Sequence, residues 1–432
     1  MIRYVKVGEK RISLSTVVLM AYIAFYVSGF NGAGHNYIQA GLFTLWNLAA
    51  LWEDGVSYKK AIFCIPNLFL GGFLLFYFLS SAIVGSIIYT VEYAARYLML
   101  CGCFSQFLYY KNRNDHKEIK VIVGFSLLAY LFFSLRAIIF YIQNPTAARV
   151  LAADYYAFDT IAIGGGYAIA FGAAILLTGL FEMQLNGRFE TASKKVLCLA
   201  VVVLLFVLVV KTESAITLIA AIAGLAIALV NRFAYGKEAN SRNNLRRIVG
   251  TILIVILLLL VFLNLNDIGK TMMDMTGDNL DNLISRRFYR IGEKLYYFGR
   301  ENKVSNYVDT RLETVKISWN TFLKNPIFGV GHKCGNVFKR LSDYGVGTHS
   351  SMFDALAQHG IIGASMFFVF LYTAIKRGLK DVKGSGYIGT VLVMMVLNPF
   401  NYFHGYFVLF VLLPMIGRLC DSCRCDKLEE TI

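Results

Sequence analysis

The sequence predicts an all-α protein that crosses a membrane about twelve times and carries one large folded loop between its ninth and tenth helices. Two observations support this fold class. Hydrophobic residues make up 57% of the chain and charged residues only 16%, with a mean hydropathy of +0.57, whereas soluble domains carry roughly a quarter charged residues. Apolar stretches of roughly 15–25 residues also recur, the length that crosses about 30 Å of hydrocarbon as a helix.

The predicted spans follow these apolar stretches in order. The first comes after a short basic start that superficially resembles a signal peptide, but no small-residue cleavage site follows it, so we interpret it as a retained helix. Together the spans divide the chain into helices 1–9 (1–266), a large loop (267–350), and helices 10–12 with a short tail (351–432). The spans are placed at 14–30, 37–53, 61–80, 83–109, 120–142, 159–181, 196–211, 213–230, 248–266, 351–375, 387–402 and 404–420.

Lysines and arginines are concentrated in alternate short connections. The other short connections contain little beyond Arg149 and Lys211. Cytoplasmic loops carry an excess of these residues, and long loops translocate regardless of charge, so the asymmetry places both termini in the cytoplasm and the large loop outside. The net charge of +15 is thereby assigned to topology and anionic headgroups rather than to nucleic acid. The lysines and arginines of the predicted cytoplasmic connections are Lys59, Lys60, Lys111, Arg113, Lys117, Lys120, Arg188, Lys194, Lys195, Arg232, Lys237, Arg242, Arg246, Arg247, Lys376, Arg377, Lys380 and Lys383.

The large loop is polar and basic. Segments 279–298 and 310–323 look helical, and 325–331, here called the turn segment, has the proline and glycines of a turn-rich connection. The loop has more cations than its acids neutralise, and arginine binds phosphate through two parallel charge-assisted hydrogen bonds. An anionic ligand would explain this surface, and a solvated basic face near anionic lipid would explain it about as well.

The sharpest local signal is His349, within Gly347-Thr348-His349-Ser350-Ser351 just before a predicted membrane helix. An imidazole has a pKa near neutrality and can take a proton from a substrate hydroxyl. The alternative is a structural role, in which His349 provides hydrogen bonds at the N-terminal end of the helix.

These motifs together resemble the signature of the O-antigen polymerase and ligase superfamily. The resemblance is specific over about 309–375 and rests elsewhere on hydropathy and on the placement of the large loop. In order, the matching residues are Arg311, Trp319, Asn325-Pro326, Gly329-Val330-Gly331, Asn336-Val337-Phe338, His349-Ser350 and Gly360-Ile361-Ile362-Gly363.

The resemblance implies a glycosyltransferase that needs no metal or other cofactor. Its donor and acceptor would be glycans on undecaprenyl diphosphate at the outer leaflet of the bacterial inner membrane. His349 would contact or deprotonate the acceptor hydroxyl, and Arg311 would bind the diphosphate leaving group. Fixed guanidinium charges in a water-poor pocket can stabilise such a leaving group.

The sequence departs from the superfamily pattern at the turn after the seventh span. A Ser-Arg pair is common there, whereas this chain has Lys211-Thr212-Glu213-Ser214-Ala215. Lys211 could act as a point charge in place of the arginine, although a purely structural turn is equally compatible. His404, between the last two spans, could contact a sugar or belong to an interfacial aromatic belt. The other candidates for the second phosphate ligand are Arg136, Arg286, Arg287 and Arg290.

The main hypothesis is a Wzy-type polymerase of O-antigen or capsular repeat units that is embedded in the lipid bilayer. A chain-length regulator is a candidate partner protein. The first alternative is the O-antigen ligase, which transfers finished polymer to lipid A core. A lipid-linked sugar transporter or flippase is the second alternative. Transporters usually show two similar halves with charges at the midplane, whereas the polar residues here concentrate in one loop, which favours an enzyme.

Overall fold

The computed structural model describes residues 4–7, 10–28, 35–84, 87–143, 166–212, 215–234, 265–276, 283–296, 310–331, 345–347, 350–382, 384–397 and 403–429. An antiparallel hairpin of β1 (Tyr4–Val7) and β2 (Lys10–Ser13) precedes the helices. The helices up to the large loop are α1 (Leu14–Val27), α2 (His35–Glu53), α3 (Gly55–Ile62), α4 (Ile65–Val84), α5 (Ile87–Arg113), α6 (His116–Gln143), α7 (Gly166–Leu185), α8 (Ala192–Lys211) and α9 (Ala215–Ala234).

The second half begins with three helices in the predicted loop and ends with three in predicted spans. The last of these is continuous, because the helix Phe403–Phe407 passes through one π-helical turn, Val408–Leu412, into the helix Leu413–Glu429. The helices are α10 (Leu265–Thr276), α11 (Leu283–Tyr296), α12 (Thr310–Lys324), α13 (Ser351–Val382), α14 (Gly386–Leu397), α15 (Phe403–Phe407) and α16 (Leu413–Glu429).

Several apolar helices confirm the class of a polytopic all-α membrane protein. Shorter apolar helices lie at Leu14–Val27, Ile169–Leu185 and Gly386–Val396. The count of twelve spans remains a prediction, and most of the proposed span 248–266 lies outside the described residues. Within the described residues, six helices are long and apolar enough to cross a membrane: Ile65–Ala82, His116–Gln143, Ala192–Lys211, Ile216–Phe233, Ser351–Val382 and His404–Asp421.

Helices in the large loop were predicted in part. The two predicted loop helices are confirmed as α11 and α12, and the turn segment follows α12 without regular structure. Helix α10 was not predicted, because its mostly polar residues follow directly after the apolar run that we assigned to span 248–266. The N-terminal β-hairpin and the short helix α3 were also not predicted.

The helix α13 crosses the bundle and packs against α4, α12, α14 and α16. Its first residues contact Ser350 and its last turn contains Asp381, so the two ends of the molecule are called here the Ser350 end and the Asp381 end. Described cations of the alternate connections, such as Lys111 and Arg188, gather at the Asp381 end, where both bind Asp381. These two connections therefore lie at the same end, whereas the layout of the others and their side of the membrane remain predictions.

A buried carboxylate fixes the start of α14. Glu182 of α7 is 2% exposed and accepts hydrogen bonds from the backbone N–H groups of Ser385 (3.0 Å) and Gly386 (2.6 Å). Gly386 also lies against Gly224 of α9, where a Cβ on Gly386 would be 2.7 Å from the Gly224 carbonyl oxygen. Small residues allow membrane helices to approach this closely. The two contacts bind the start of α14 to α7 and α9.

Candidate functional site at the Ser350 end

Two hydroxyls of α12 hold the chain just before His349, which itself lies outside the described residues. The Gly345 N–H donates to Thr321 Oγ1 at 2.7 Å, and the Gly347 N–H donates to Ser318 Oγ at 2.8 Å. Positions three apart on a helix are neighbours on one face, so the two hydroxyls form a short row along α12. This row fixes the path of the backbone that leads to His349.

Asp354 of α13 holds the chain just after His349. Its Oδ2 accepts the Ser350 N–H at 3.0 Å, and its Oδ1 accepts the Ser318 hydroxyl at 2.6 Å. The Ser318 hydroxyl donates to the carboxylate because its oxygen already accepts the N–H of Gly347, and an N–H can only donate. Both oxygens of Asp354 are therefore acceptors, as expected of an ionised carboxylate.

Ser350 ties this corner to α14. Its side chain is buried, accepts the Phe353 N–H at 3.4 Å and donates to the Met395 carbonyl at 3.3 Å. A serine before the first helical residue satisfies an N–H group that has no partner within the helix. The start of α13 is thus bound to both α12 and α14.

The helix α13 is broken at Gly360, whose φ of 60° and ψ of −171° are not helical. Two carbonyls that lose their helical partners there accept hydrogen bonds from the turn segment. The Val330 N–H donates to the Ala357 carbonyl at 3.0 Å, and the Gly331 N–H donates to the Gln358 carbonyl at 2.9 Å. Buried backbone groups need such partners, above all within a membrane.

The N–H groups beyond the break are satisfied by the same segment. The Ile361 N–H donates to the Pro326 carbonyl at 2.7 Å, and the Ile362 N–H donates to the Ile327 carbonyl at 3.4 Å. The turn segment therefore replaces the missing helical hydrogen bonds on both sides of the break.

Two glycines make this close approach possible. Gly360 and Gly329 have positive φ angles of 60° and 69°, which favour glycine. A Cβ on Gly360 would collide with the Ile327 carbonyl, and one on Gly329 would lie 2.5 Å from the Gln358 carbonyl. The two glycines of the sequence motif thus have a structural role at the helix break.

Three of the predicted site residues lie on elements that reach the Ser350 end. Arg311 is the second residue of α12, and its side chain is outside the described residues. Lys211 is the last residue of α8 and is exposed. Arg136 is partly buried in α6, seven residues before the end of that helix at Gln143.

Among the residues that the structure describes, the other candidates lie on elements whose main contacts are elsewhere than the Gly347–Ser350 corner. Arg286 is partly buried and Arg290 exposed on α11, which packs chiefly against α10 among the described elements; the side chain of Arg287 is not described. His404 is 3% exposed, and its Nδ1 lies 3.1 Å from the Tyr130 hydroxyl of α6. A role of His404 in sugar binding stays a prediction, and its described contacts are with neighbouring helices.

A comparison with protein families bears on this region. Residues 200–368 match the family model described as O-antigen ligase. This match supports the resemblance of this part of the chain to the O-antigen polymerase and ligase superfamily. The match runs from within α8 to beyond the break in α13 and so includes Lys211, α12, the turn segment and His349. No curated protein matches the chain.

The superfamily match supports an enzyme of glycosyltransferase type in O-antigen assembly, acting on lipid-linked glycans. It does not distinguish polymerase from ligase. Within the described part of the chain, no group of three or more His, Cys, Asp or Glu side chains is arranged to hold a metal ion.

Sequence reasoning missed the residues that hold the His349 segment. Ser318, Thr321 and Asp354 each looked like an ordinary helix residue. A signal existed for one of them, because a serine followed by an acidic residue at the start of a helix, here Ser350 and Asp354, approximates a capping box. Nothing in the spacing of Ser318 and Thr321 indicates that they face a distant loop.

Proposed function

We propose that the protein is a polymerase of undecaprenyl-diphosphate-linked oligosaccharide repeat units in O-antigen or capsular polysaccharide biosynthesis. It transfers a growing glycan onto the non-reducing end of a new lipid-linked repeat unit. The observation that carries this proposal is the corner around His349, which lies inside the superfamily match and is held between α12 and α13 at the start of an apolar helix.

His349 acts as the base in this reaction. The acceptor hydroxyl oxygen attacks the anomeric carbon of the donor glycan and gives its proton to the imidazole. The bond between the anomeric carbon and the phosphate oxygen breaks, and undecaprenyl diphosphate leaves with the electron pair. A positioned base of this kind contributes typically about 10²–10⁴-fold to the rate.

Cations near the corner bind the diphosphate. Arg311 precedes Ser318 by seven residues on α12, which is about two helical turns, so the two positions share one helix face. This spacing supports a role for Arg311 on the face that holds the His349 segment. Lys211 and Arg136 supply further positive charge at the same end, where charge develops on the leaving group.

The reaction takes place at the outer face of the bacterial inner membrane, with both termini of the chain in the cytoplasm. The clustering of cationic connections at the Asp381 end supports this orientation, because such connections are normally cytoplasmic. Donor and acceptor reach the Ser350 end from the outer leaflet, and a chain-length regulator would meet the enzyme there.

The second candidate function is ligation of finished polymer to lipid A core. The observation in its favour is the description of the matching family model as O-antigen ligase. Both reactions use the same donor chemistry and differ only in the acceptor, so the same corner serves either.

The test replaces His349 by Ala in a strain that lacks the chromosomal copy. The surface glycan and the lipid-linked pool are then resolved by size. Glycan that stops at one repeat unit supports the polymerase. Long polymer stranded on undecaprenyl diphosphate shows that the ligase is correct, and an unchanged ladder rejects the role of His349. His116→Ala at the other end of the molecule is the matched control.

A further inference from the structure

The corner around His349 is held by a connected set of side chains that takes no direct part in the proposed chemistry. Thr321 and Ser318 of α12 bind the backbone at Gly345 and Gly347, and Asp354 of α13 binds the backbone at Ser350. The Ser318 hydroxyl also donates to the Asp354 carboxylate at 2.6 Å. One continuous network therefore joins α12, α13 and both flanks of the position occupied by His349.

We propose that Ser318 and Asp354 are positioning residues that set the location of His349 relative to the acceptor hydroxyl. This inference rests on the proposed function of His349 as the base. The backbone before His349 is bound to α12 and the backbone after it is bound to α13, and the Ser318–Asp354 hydrogen bond joins these two attachments directly at the corner.

The chemistry of the network fits a positioning role. Ser318 is fully buried, and its hydroxyl is used once as acceptor and once as donor. Hydrogen bonds to an ionised group are shorter and stronger than neutral ones. The hydrogen bonds that the Asp354 carboxylate accepts are therefore the strongest of the network. A reacting group displaced by about 1 Å can cost about 100-fold in rate.

The experiment measures release of undecaprenyl diphosphate by the purified full-length protein from a lipid-linked repeat unit. Ser318→Ala and Asp354→Asn should each lower kcat about 10–100-fold while the KM for the repeat unit stays within about threefold. Thr321→Ala should have a smaller effect, because it leaves the Ser318–Asp354 link intact. Ser318→Thr keeps the hydroxyl and should retain most of the activity.

The matched control is Ser365→Ala, an exposed serine of the same helix α13. Size-exclusion chromatography and the midpoint of thermal unfolding in detergent check that each variant is folded. If Ser318→Ala does not fold, Asp354→Asn and Thr321→Ala test the network from its other members.

A second readout separates positioning from general stabilisation. In a chain that already carries His349→Ala, Ser318→Ala should lower the residual rate no further, because residues that act through one group are not additive. Additive losses, or full activity of both Ser318→Ala and Asp354→Asn, would overturn the inference. A His349→Ala variant as fast as the wild type would instead reject the proposed function itself.

Discussion

The two ends of α13 hold the chain with different chemistry. The Asp381 end is joined by ion pairs, and all five found among the described residues lie there. At the Ser350 end, hydroxyls, one carboxylate and backbone groups hold the chain. The ion pairs are Arg113 with Glu53, Asp115 and Glu118, Lys111 with Asp381, and Arg188 with Asp421.

The difference shows where positive charge is already neutralised. At the Asp381 end, Lys111, Arg113 and Arg188 are paired with carboxylates and bind helix ends together; Arg188 also donates to the carbonyls of Asp381 and Gly417. At the Ser350 end, Arg136 and Lys211 have no ion-pair partner within the described residues. Their charge suits the anionic donor of the proposed reaction.

Removing the central cation of the Asp381 end should have the largest effect on stability. Arg113→Met leaves the carboxylates of Glu53 and Glu118, which are 5% and 7% exposed, without their cation. We expect the free energy of unfolding to fall by about 3–5 kcal/mol, measured by thermal unfolding in detergent. Adding Glu53→Gln should restore part of the loss, and the exposed Lys194→Met is the control. An unchanged midpoint would mean that this network does not stabilise the end.

The break in α13 should be the most sensitive backbone feature of the Ser350 end. Gly360→Ala forces a side chain into a positive φ angle and against the Ile327 carbonyl. A strained residue of this kind costs about 1–3 kcal/mol, seen as a lower unfolding midpoint together with loss of the proposed polymerisation. Gly71→Ala in α4, where a Cβ meets nothing within 4 Å, should be neutral or slightly stabilising. If Gly360→Ala and Gly71→Ala have the same unfolding midpoint and the same activity, the hydrogen bonds of the turn segment do not stabilise the break in α13.

Neutralising a cation of the Ser350 end should affect activity rather than stability. Arg136→Gln should weaken donor binding about tenfold, the value of one charge-assisted hydrogen bond, with an unfolding midpoint near that of the wild type. The KM for the lipid-linked donor measures the effect, and Arg232→Gln at the Asp381 end is the matched control. If Arg136→Gln lowers the unfolding midpoint and leaves the KM unchanged, Arg136 has a structural role, like the paired cations at the Asp381 end.

A neutral helix cap at the Asp381 end should have the smallest effect. Thr191 accepts the Lys194 N–H at 3.3 Å and precedes α8. Thr191→Ala should cost about 1 kcal/mol, as is typical for a lost N-cap, and Thr191→Ser should cost less. A loss as large as that of Arg113→Met would show that charge pairing is not what distinguishes this end.

Sequence reasoning predicted the features that depend on local composition. The apolar lengths located the six long membrane helices, and the start of α12 at Thr310 was predicted at the correct residue. The turn segment was recognised from its proline and glycines. These signals are local, so a single sequence carries them.

Features that depend on distant partners could not be predicted. The apolar pattern continues through Gly360, so the break in α13 is visible only where the turn segment supplies replacement hydrogen bonds. Glu182 and Arg188 looked like ordinary residues near a helix end, yet both are buried and bound to backbone groups far along the chain. The role of His349 stays a prediction, and the residues that bind the backbone on either side of it were not predicted.

The turn segment also constrains how the molecule can move. Four backbone hydrogen bonds cross between it and the two halves of α13, and the segment is continuous with α12. A tilt of the first half of α13 against the second would have to break the two bonds on one side of Gly360, so both halves of α13 and α12 are held as one unit. Under the proposed function, an opening that admits a bulkier sugar would then come from the helices that face this unit.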